Sequence, residues 1–367
     1  MGLEPLLPER WATRVGAWLE PGAPEGDVVV SCRIRLARNL ASYPFVSRLD
    51  AKRAEELAAH VREVLTEARL DGETTWVAMT EAPPLLRLLL RERHLVSRDL
   101  VPSENGEKAA PGRAVAFGAS ECISAMVNEE DHLRLQAMSA GYQIGLAWQR
   151  AQELDRFLEA RLAFAADAEL GYLTGCPTNV GTGLRASVML HLPALGLVRS
   201  ELEKVFAAAQ RTGLAVRGLY GEGSRAAGDF YQISNQITLG RGEAQLVQDL
   251  EALVPRILDF ERRLRALLLK EQRSALVDRV ARSLGLLRTA RSMASEAALA
   301  HLSNLRLGAC LELAKEPGLE VLAPLGVQVQ KAHVQALAQE PLQQELCEPS
   351  VRDALRASWL RRRLAGA

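Results

Sequence analysis

The stretch Gly171–Ser187, GYLTGCPTNVGTGLRAS, places one cysteine, Cys176, in a glycine-rich loop that runs on to Arg185. Gly175, Gly181 and Gly183 allow positive φ and close approach of the backbone to a ligand, and Pro177 stiffens the turn after the cysteine. Three chemistries fit such a loop: a cysteine nucleophile, a phosphate cradle, or a turn that merely contains a thiol. A free cysteine is ordinarily a small buried hydrophobe, so the rest of the chain has to choose among them.

Three other segments alternate with the period of a strand, which sends successive side chains to opposite faces. In VVVSCRIRLARN (Val28–Asn39), Arg33 and Arg35 point one way, Ile34 and Leu36 the other. In NEEDHLRLQA (Asn128–Ala137), Leu133, Leu135 and Ala137 share the apolar face, leaving Glu130, His132, Arg134 and Gln136 on the polar one. In GLAVRGLYGEG (Gly213–Gly223), Arg217 ends a strand as a glycine-rich turn begins. Any one of these is explained by a solvated strand face. TTWVAM (Thr74–Met79) and RAVAF (Arg113–Phe117) read as short strands, and Asp50 as the cap of a helix in which Leu57, Val61, Val64, Leu65 and Ala68 share a face.

Composition shifts along the chain. Residues 1–245 mix strands, helices and glycine turns, and 246–367 read as nearly continuous amphipathic helix. Leu250, Leu253, Ile257, Phe260, Leu264 and Leu267 recur at helical spacing, the pattern of a coiled-coil or bundle core, and EPGLEVLAP (Glu316–Pro324) reads as a turn-rich break. At 367 residues, with 45 basic against 45 acidic side chains, the chain is ordinary globular material with no bias toward nucleic acid or an anionic membrane. The N-terminal stretch carries charges and prolines where a secretory segment is unbroken, and five scattered cysteines without a CxxC pair read as reduced thiols, so the expected location is the cytoplasm.

Five guanidiniums gathered on one surface require polyanionic company, which a nucleotide triphosphate with its magnesium supplies. No GxxxxGK[ST] and no kinase glycine loop with a paired lysine occurs, and GTGLRA departs from the dinucleotide fingerprint. Glu129, Glu130 and Glu222 are the candidates to hold or deprotonate a cationic acceptor, with a Cys176 thiolate adding electrostatic help. His132 and His191 read as structural or solvated, with a Cys/His hydrolase as the formal alternative.

Taken in order, SCRIRLARN, NEEDHLRLQ, CPTNVGTGLRAS and RGLYGEG resemble the phosphagen kinase superfamily, and RGLYGEGSRAAGDFYQISNQITLG with the helical tail is similar to its bacterial protein arginine kinase branch. The arginine strand begins near residue 30, which leaves no room for the N-terminal helical domain of the metabolite enzymes. The resemblance implies an α+β fold: a catalytic domain with an antiparallel sheet flanked by helices over 1–245, then an all-α dimerisation and phosphoarginine-binding domain over 246–367. It implies ATP with Mg2+ held by phosphates and water, without a protein metal ligand. Arg33, Arg35, Arg134, Arg185 and Arg217 correspond to its nucleotide-phosphate arginines. Glu129, Glu130 and Glu222 match its acceptor-binding acids, with Glu130 as the base, and Cys176 matches its reactive cysteine, helped by Thr178. Cys32 stands where the family commonly has serine and by alternation lies away from the phosphate face.

Near the C-terminus, VRDALRAS sets Arg352, Asp353, Arg356 and Ala357 in the pattern RDxxRA, with the two arginines one helical turn apart. The resemblance makes this an allosteric phosphoarginine pocket. The resulting expectation is a protein arginine kinase that marks substrate proteins with exposed arginines for a Clp-type unfoldase and protease in a stress response. An activator protein and a heat-shock repressor are further implied partners, with a homodimer or higher oligomer as the assembly and no membrane or direct nucleic-acid partner. The rivals are a kinase for free arginine or another small guanidino compound, and a non-catalytic phosphoarginine-binding adaptor.

Overall fold

The computed structural model describes residues 8–101, 109–218, 226–314, 316–338 and 346–365. Its strands are β1 (Val29–Arg38), β2 (Thr75–Ala78), β3 (Ala114–Phe117), β4 (Ile123–Val127), β5 (Leu133–Ala140), β6 (Ala166–Asp167), β7 (Gly171–Tyr172), β8 (Leu184–His191), β9 (Leu214–Gly218) and β10 (Phe230–Asn235). All but the small β6–β7 hairpin join one eight-stranded sheet of order β2-β3-β4-β5-β1-β8-β10-β9. Every pairing is antiparallel, and β1 lies between β5 and β8. The α+β architecture read from the sequence is the one found.

The alternation in β1 has a direct physical outcome. Ile34 and Leu36 are fully buried and join Leu133, Leu135, Ala137, Leu184, Ala186 and Val188 in the main core. Each large aliphatic side chain so buried contributes roughly 1.5–3 kcal/mol relative to exposure. This face is covered by helices. Of the six that precede the end of the sheet, α1 (Pro8–Ala12), α2 (Ala51–Ala68), α3 (Pro84–Glu92), α4 (Ile144–Glu159), α5 (Pro193–Leu197) and α6 (Arg199–Arg211), α2 and α4 pack their apolar stripes on its β3, β5 and β1 side, while α5 and α6 add Leu195, Leu202 and Val205 toward β9. Asp50 caps α2 as expected, its Oδ1 accepting from Arg53 N at 2.8 Å. The opposite face carries the odd-numbered residues of β1 from Ser31 on, past an irregularity in register after Val29, with α3 covering only its β2–β4 end.

Six helices follow: α7 (Glu243–Glu271), α8 (Arg273–Thr289), α9 (Ser295–Cys310), α10 (Leu319–Gln328), α11 (Lys331–Ala336) and α12 (Pro349–Leu364). The α7 stripe is not a bundle core. Leu246, Val247, Leu250, Val254, Ile257 and Leu258 join the core of the sheet, so α7, within whose first turn residue 245 falls, packs on β8 and β10. A helical repeat says that one face is buried and is silent about the surface that covers it. The expected break at Glu316–Pro324 is shorter than read. α10 begins at Leu319 and includes Pro324, because Leu322, Leu325 and Val329 anchor it in a second core with α9 and α12. No helix among the described residues is long and apolar enough to cross a membrane.

Candidate functional site

The register of the sheet brings four of the arginines together on the face away from the main core. Arg35 in β1 lies directly opposite Arg185 in β8, and Arg33 opposite Ser187. Arg134 in β5 is opposite Ala37, which shares the Arg33 and Arg35 face. Arg217 sits near the end of β9 opposite Gln232, itself opposite Met189, so it belongs to the same face two strands out. Arg33, Arg35, Arg134 and Arg185 are half-buried and Arg217 is exposed.

Like charges directly across a strand pair repel. Burial, then Arg185 and Arg134, pull the Arg33 guanidinium down to about 10. Burial pushes Arg35 well below the usual range, with Arg33, Arg134 and Arg185 adding repulsion that Glu129 only partly offsets. Arg185 is lowered by burial and then by Arg217 and Arg134, against the attraction of Glu130. A guanidinium stays charged at neutral pH, so the cluster holds partly desolvated positive charges that also repel one another. Arg33 donates to Gln232 Oε1 at 2.7 Å, and the Nε groups of Arg35 and Arg185 are buried without an acceptor. The residues present fit a polyphosphate: an anion with several oxygens supplies both missing acceptors and missing charge.

The acids border this cluster. Glu129 has a fully buried side chain that accepts from Arg134 Nη1 at 2.8 Å and from the Ser97 hydroxyl. Its other oxygen is 2.6 Å from the same nitrogen, a charge contact without hydrogen-bond alignment. Glu130 is different, with 42% of its side chain exposed, accepting from Arg134 Nη2 at 2.7 Å and Asn179 Nδ2 at 3.4 Å. Asn179 belongs to the cysteine loop, and a Cβ at Gly175 would come within 2.7 Å of the Glu130 carbonyl oxygen, so the two loops touch. Cys176 and Thr178 are hydrogen-bonded, Sγ to Oγ1 at 3.0 Å. Glu222 lies outside the described residues.

What welds the loops was missed by the sequence reading. Asp131 Oδ1 accepts from Gly175 N at 2.6 Å and from Asn39 Nδ2 at 2.7 Å, tying the acidic turn, the cysteine loop and the end of β1 together. Arg38 is fully buried, paired with Asp155 and stacked 3.6 Å from the Tyr172 ring, and it donates to Thr182 O. The only available signal was the ARN ending of the β1 segment, which alternation cannot distinguish from surface. Thr238 supports the loop from below, its hydroxyl donating to Val180 O at 2.7 Å.

His132 is not on the polar face; it precedes β5 and is buried. Its Nδ1 accepts from Leu40 N, which assigns the proton to Nε2 and a bond to Pro44 O. His191 is likewise buried, against Ser303. Both are structural. Cys32 lies away from the arginines, buried, its thiol pushed up to about 12 by desolvation.

In α12, Arg352 and Arg356 are 7% and 1% exposed and share the inward side. Arg356 donates to Val329 O at 2.6 Å, Met293 O at 2.7 Å and Asp353 Oδ1 at 2.5 Å, while Ala357 is in the core beneath. Arg356 therefore fastens α12 to the end of α10 and the start of α9.

From Arg33 and Ser187 the sheet face continues into a cleft of about 960 Å³, counting its open mouth, whose floor includes Met189 and Gln232. Its opposite wall is built by Leu302 and Arg306 of α9 and Gly326 of α10.

Residues 56–264 match the family described as ATP:guanido phosphotransferase, C-terminal catalytic domain, and residues 273–367 match the protein-arginine kinase McsB C-terminal domain. A protein-arginine kinase of Symbiobacterium thermophilum is 44% identical over 95% of this chain and 96% of its own length. One from Bacillus cereus is 38% identical over 99% of both. Among solved structures, the duplicated taurocyamine kinase from Schistosoma mansoni with bound transition state analog components superposes with a TM-score of 0.58 at 26% identity, over 68% of this chain and 35% of that one. Lombricine kinase superposes with a TM-score of 0.54 at 25% identity, over 70% and 71%. These matches agree with a sheet face of clustered arginines bordered by a cysteine loop and paired acids: the chain belongs to the protein-arginine kinase family, a phosphagen-kinase-like ATP:guanido phosphotransferase unit joined to that family's own C-terminal domain.

Proposed function

We propose that this chain transfers the γ-phosphoryl group of ATP to the guanidinium of arginine side chains in substrate proteins. The observation that carries the reading is the half-buried arginine cluster, short of counter-charge, abutting Glu130 where Asn179 of the Cys176 loop meets it. Arg33, Arg35, Arg185 and Arg217 take the phosphate oxygens, and Arg134, held by Glu129 and Glu130, joins the phosphate site to the acceptor site. The cleft beside Arg33 and Ser187 receives the nucleoside.

Glu130, the exposed carboxylate, takes a proton from the acceptor guanidinium as that nitrogen attacks phosphorus in line; an N–P bond forms and the P–O bond to ADP breaks. Glu129, pinned by Arg134 and Ser97, holds the acid pair in place, and Glu222 is the second acid expected around the acceptor. Cys176 steadies the guanidinium electrostatically, without a covalent intermediate. Mg2+, held by the phosphates and water, would supply neutralisation of the charge on the transferred group. The same proposal places phosphoarginine at Arg352 and Asp353, where it would compete for the contacts of Arg356, and makes the product a mark for a Clp-type unfoldase and protease in a cytoplasmic stress response. A homodimer is supported by the exposed apolar side chains Leu267, Val277, Leu286 and Val351 on α7, α8 and α12. An activator protein and a heat-shock repressor as partners rest on the family alone.

The test incubates the purified chain with γ-labelled ATP, magnesium, free arginine and an unfolded arginine-rich protein. Acid-labile label on protein, lost in Glu130→Ala and strongly reduced in Cys176→Ala, is the expected result. Label confined to free arginine overturns the reading in favour of a small-guanidine kinase, and no transfer favours a phosphoarginine-binding adaptor.

A further inference from the structure

We infer that the C-terminal helices form one wall of the nucleotide site and that Arg306 of α9 is a further nucleotide-contacting residue. The inference rests on the reading that the cleft beside Arg33 receives a nucleoside. Three observations carry it. First, the cleft is two-sided: Ser187, Met189 and Gln232 of the sheet face Leu299, Leu302 and Leu322 of α9 and α10. A mainly apolar cleft carrying a few polar groups, Ser187 and Gln232 on one side and Arg306 on the other, suits a flat heterocycle held by a few directed bonds.

Second, Arg306 is 8% exposed and lines this cleft as well as a neighbouring cavity bounded by Gly22 and Asp27. It donates through Nη2 to Gly26 O at 2.6 Å, yet its Nε is buried without an acceptor. A buried N–H left unmatched is destabilising, and a ligand acceptor at this wall removes that cost. The arginines of the sheet already surround the phosphate position, so the partner for Arg306 is a ring nitrogen or ribose oxygen of the nucleoside. Third, Gly326 lies in α10 with no atom within 4 Å of the place a Cβ would occupy, although the residue lines the cleft. The helix keeps space open at that point.

The consequence is linkage. A nucleotide touching both walls holds α9 and α10 against the sheet, so that helices fastened to α12 through Arg356 respond to the occupancy of the catalytic site.

The experiment measures calorimetric binding of ADP and of inorganic tripolyphosphate to the full chain and to Gly326→Phe, Arg306→Gln and Arg33→Ala. Gly326→Phe, which fills the nucleoside space from the helical side, is expected to weaken ADP at least tenfold and tripolyphosphate less than twofold. Arg306→Gln is expected to do the same to a smaller extent, about three- to tenfold for ADP. Arg33→Ala is expected to weaken both ligands. If Arg33→Ala weakens both while the other two variants bind ADP like the parent chain, the helical wall is refuted and the nucleotide site stands. Equal loss of both ligands in Gly326→Phe and in Arg306→Gln also refutes it, as general damage. If Arg33→Ala changes neither ligand, the underlying nucleotide reading itself fails.

Discussion

Replacing Arg33 by methionine should stabilise the nucleotide-free protein while weakening its grip on nucleotide. The substitution keeps most of the apolar stem and removes the charge. Depression of the Arg33 guanidinium to about 10 by burial, Arg185 and Arg134 corresponds to roughly 3 kcal/mol acting against the charged form, at 1.36 kcal/mol per tenfold. Losing the hydrogen bond to Gln232 returns about 1 kcal/mol. Water reaching a half-buried side chain lowers the figure further, leaving a net gain of about 1–2 kcal/mol. Urea unfolding followed by tryptophan fluorescence, in low-salt buffer free of phosphate and sulfate, reads this directly, and added salt should narrow the difference by screening the cluster. With saturating ADP the order should invert, because charge-assisted bonds worth about 1.5–3 kcal/mol each are lost and nucleotide no longer stabilises the variant equally. A nucleotide-free Arg33→Met protein less stable than its parent would refute the reasoning, since it would mean that the cluster is neutralised from within.

Gly181→Ala tests the loop: with φ at 106° and a Cβ that would fall 2.6 Å from Thr238 O, the change should displace the cysteine loop and lower kcat more than tenfold with little effect on ADP affinity. Unchanged kcat would show that the loop position is unimportant. His94, which lines the cleft, is held down at about 4 by burial, with Arg33 and His333 adding repulsion. An unfolded histidine titrates near 6.5, so between about pH 6.5 and 4 the unfolded chain takes up a proton that the folded one refuses, and stability should fall as pH drops through that window, by at most about 3 kcal/mol. His94→Asn, which tolerates the left-handed φ of 60°, should flatten that slope in pH-dependent urea unfolding; an unaltered slope would exclude His94 as its source. Arg356→Met strips the Val329 and Met293 carbonyls of a buried donor and should destabilise the C-terminal helices by about 2–4 kcal/mol, seen as earlier unfolding or proteolysis there, whereas a loss under about 0.5 kcal/mol would refute its fastening role.

Much of the catalytic face was legible because a strand imposes a period of two. Alternation alone put Arg33 and Arg35 on one side and Ile34 and Leu36 on the other, and the core follows that division. The same rule misplaced His132, which precedes the first residue of β5 and turns inward to bond Leu40 and Pro44. Alternation holds only while the backbone remains extended. The helical stripe of α7 predicted the burial of Leu250, Ile257 and Leu264, missed the exposure of Leu267 and gave the wrong partner, since amphipathicity carries no information about the covering surface.

The sequence by itself determined which residue types were present for phosphoryl transfer and, through periodicity, which side of each strand they occupy. Strand order, register and loop contact were decided by tertiary structure. Only pairing of β1 with β8 sets Arg35 across from Arg185, and only Asp131, bonded at once to Asn39 and Gly175, draws Cys176 to the acids. Only the docking of α9 and α10 against the sheet closes the cleft beside Arg33. The physical reason is range. Periodicity and propensity act over a few neighbouring residues, whereas the electrostatic repulsion among these arginines, and the cleft that relieves it, exist only once segments far apart in the chain have been packed side by side.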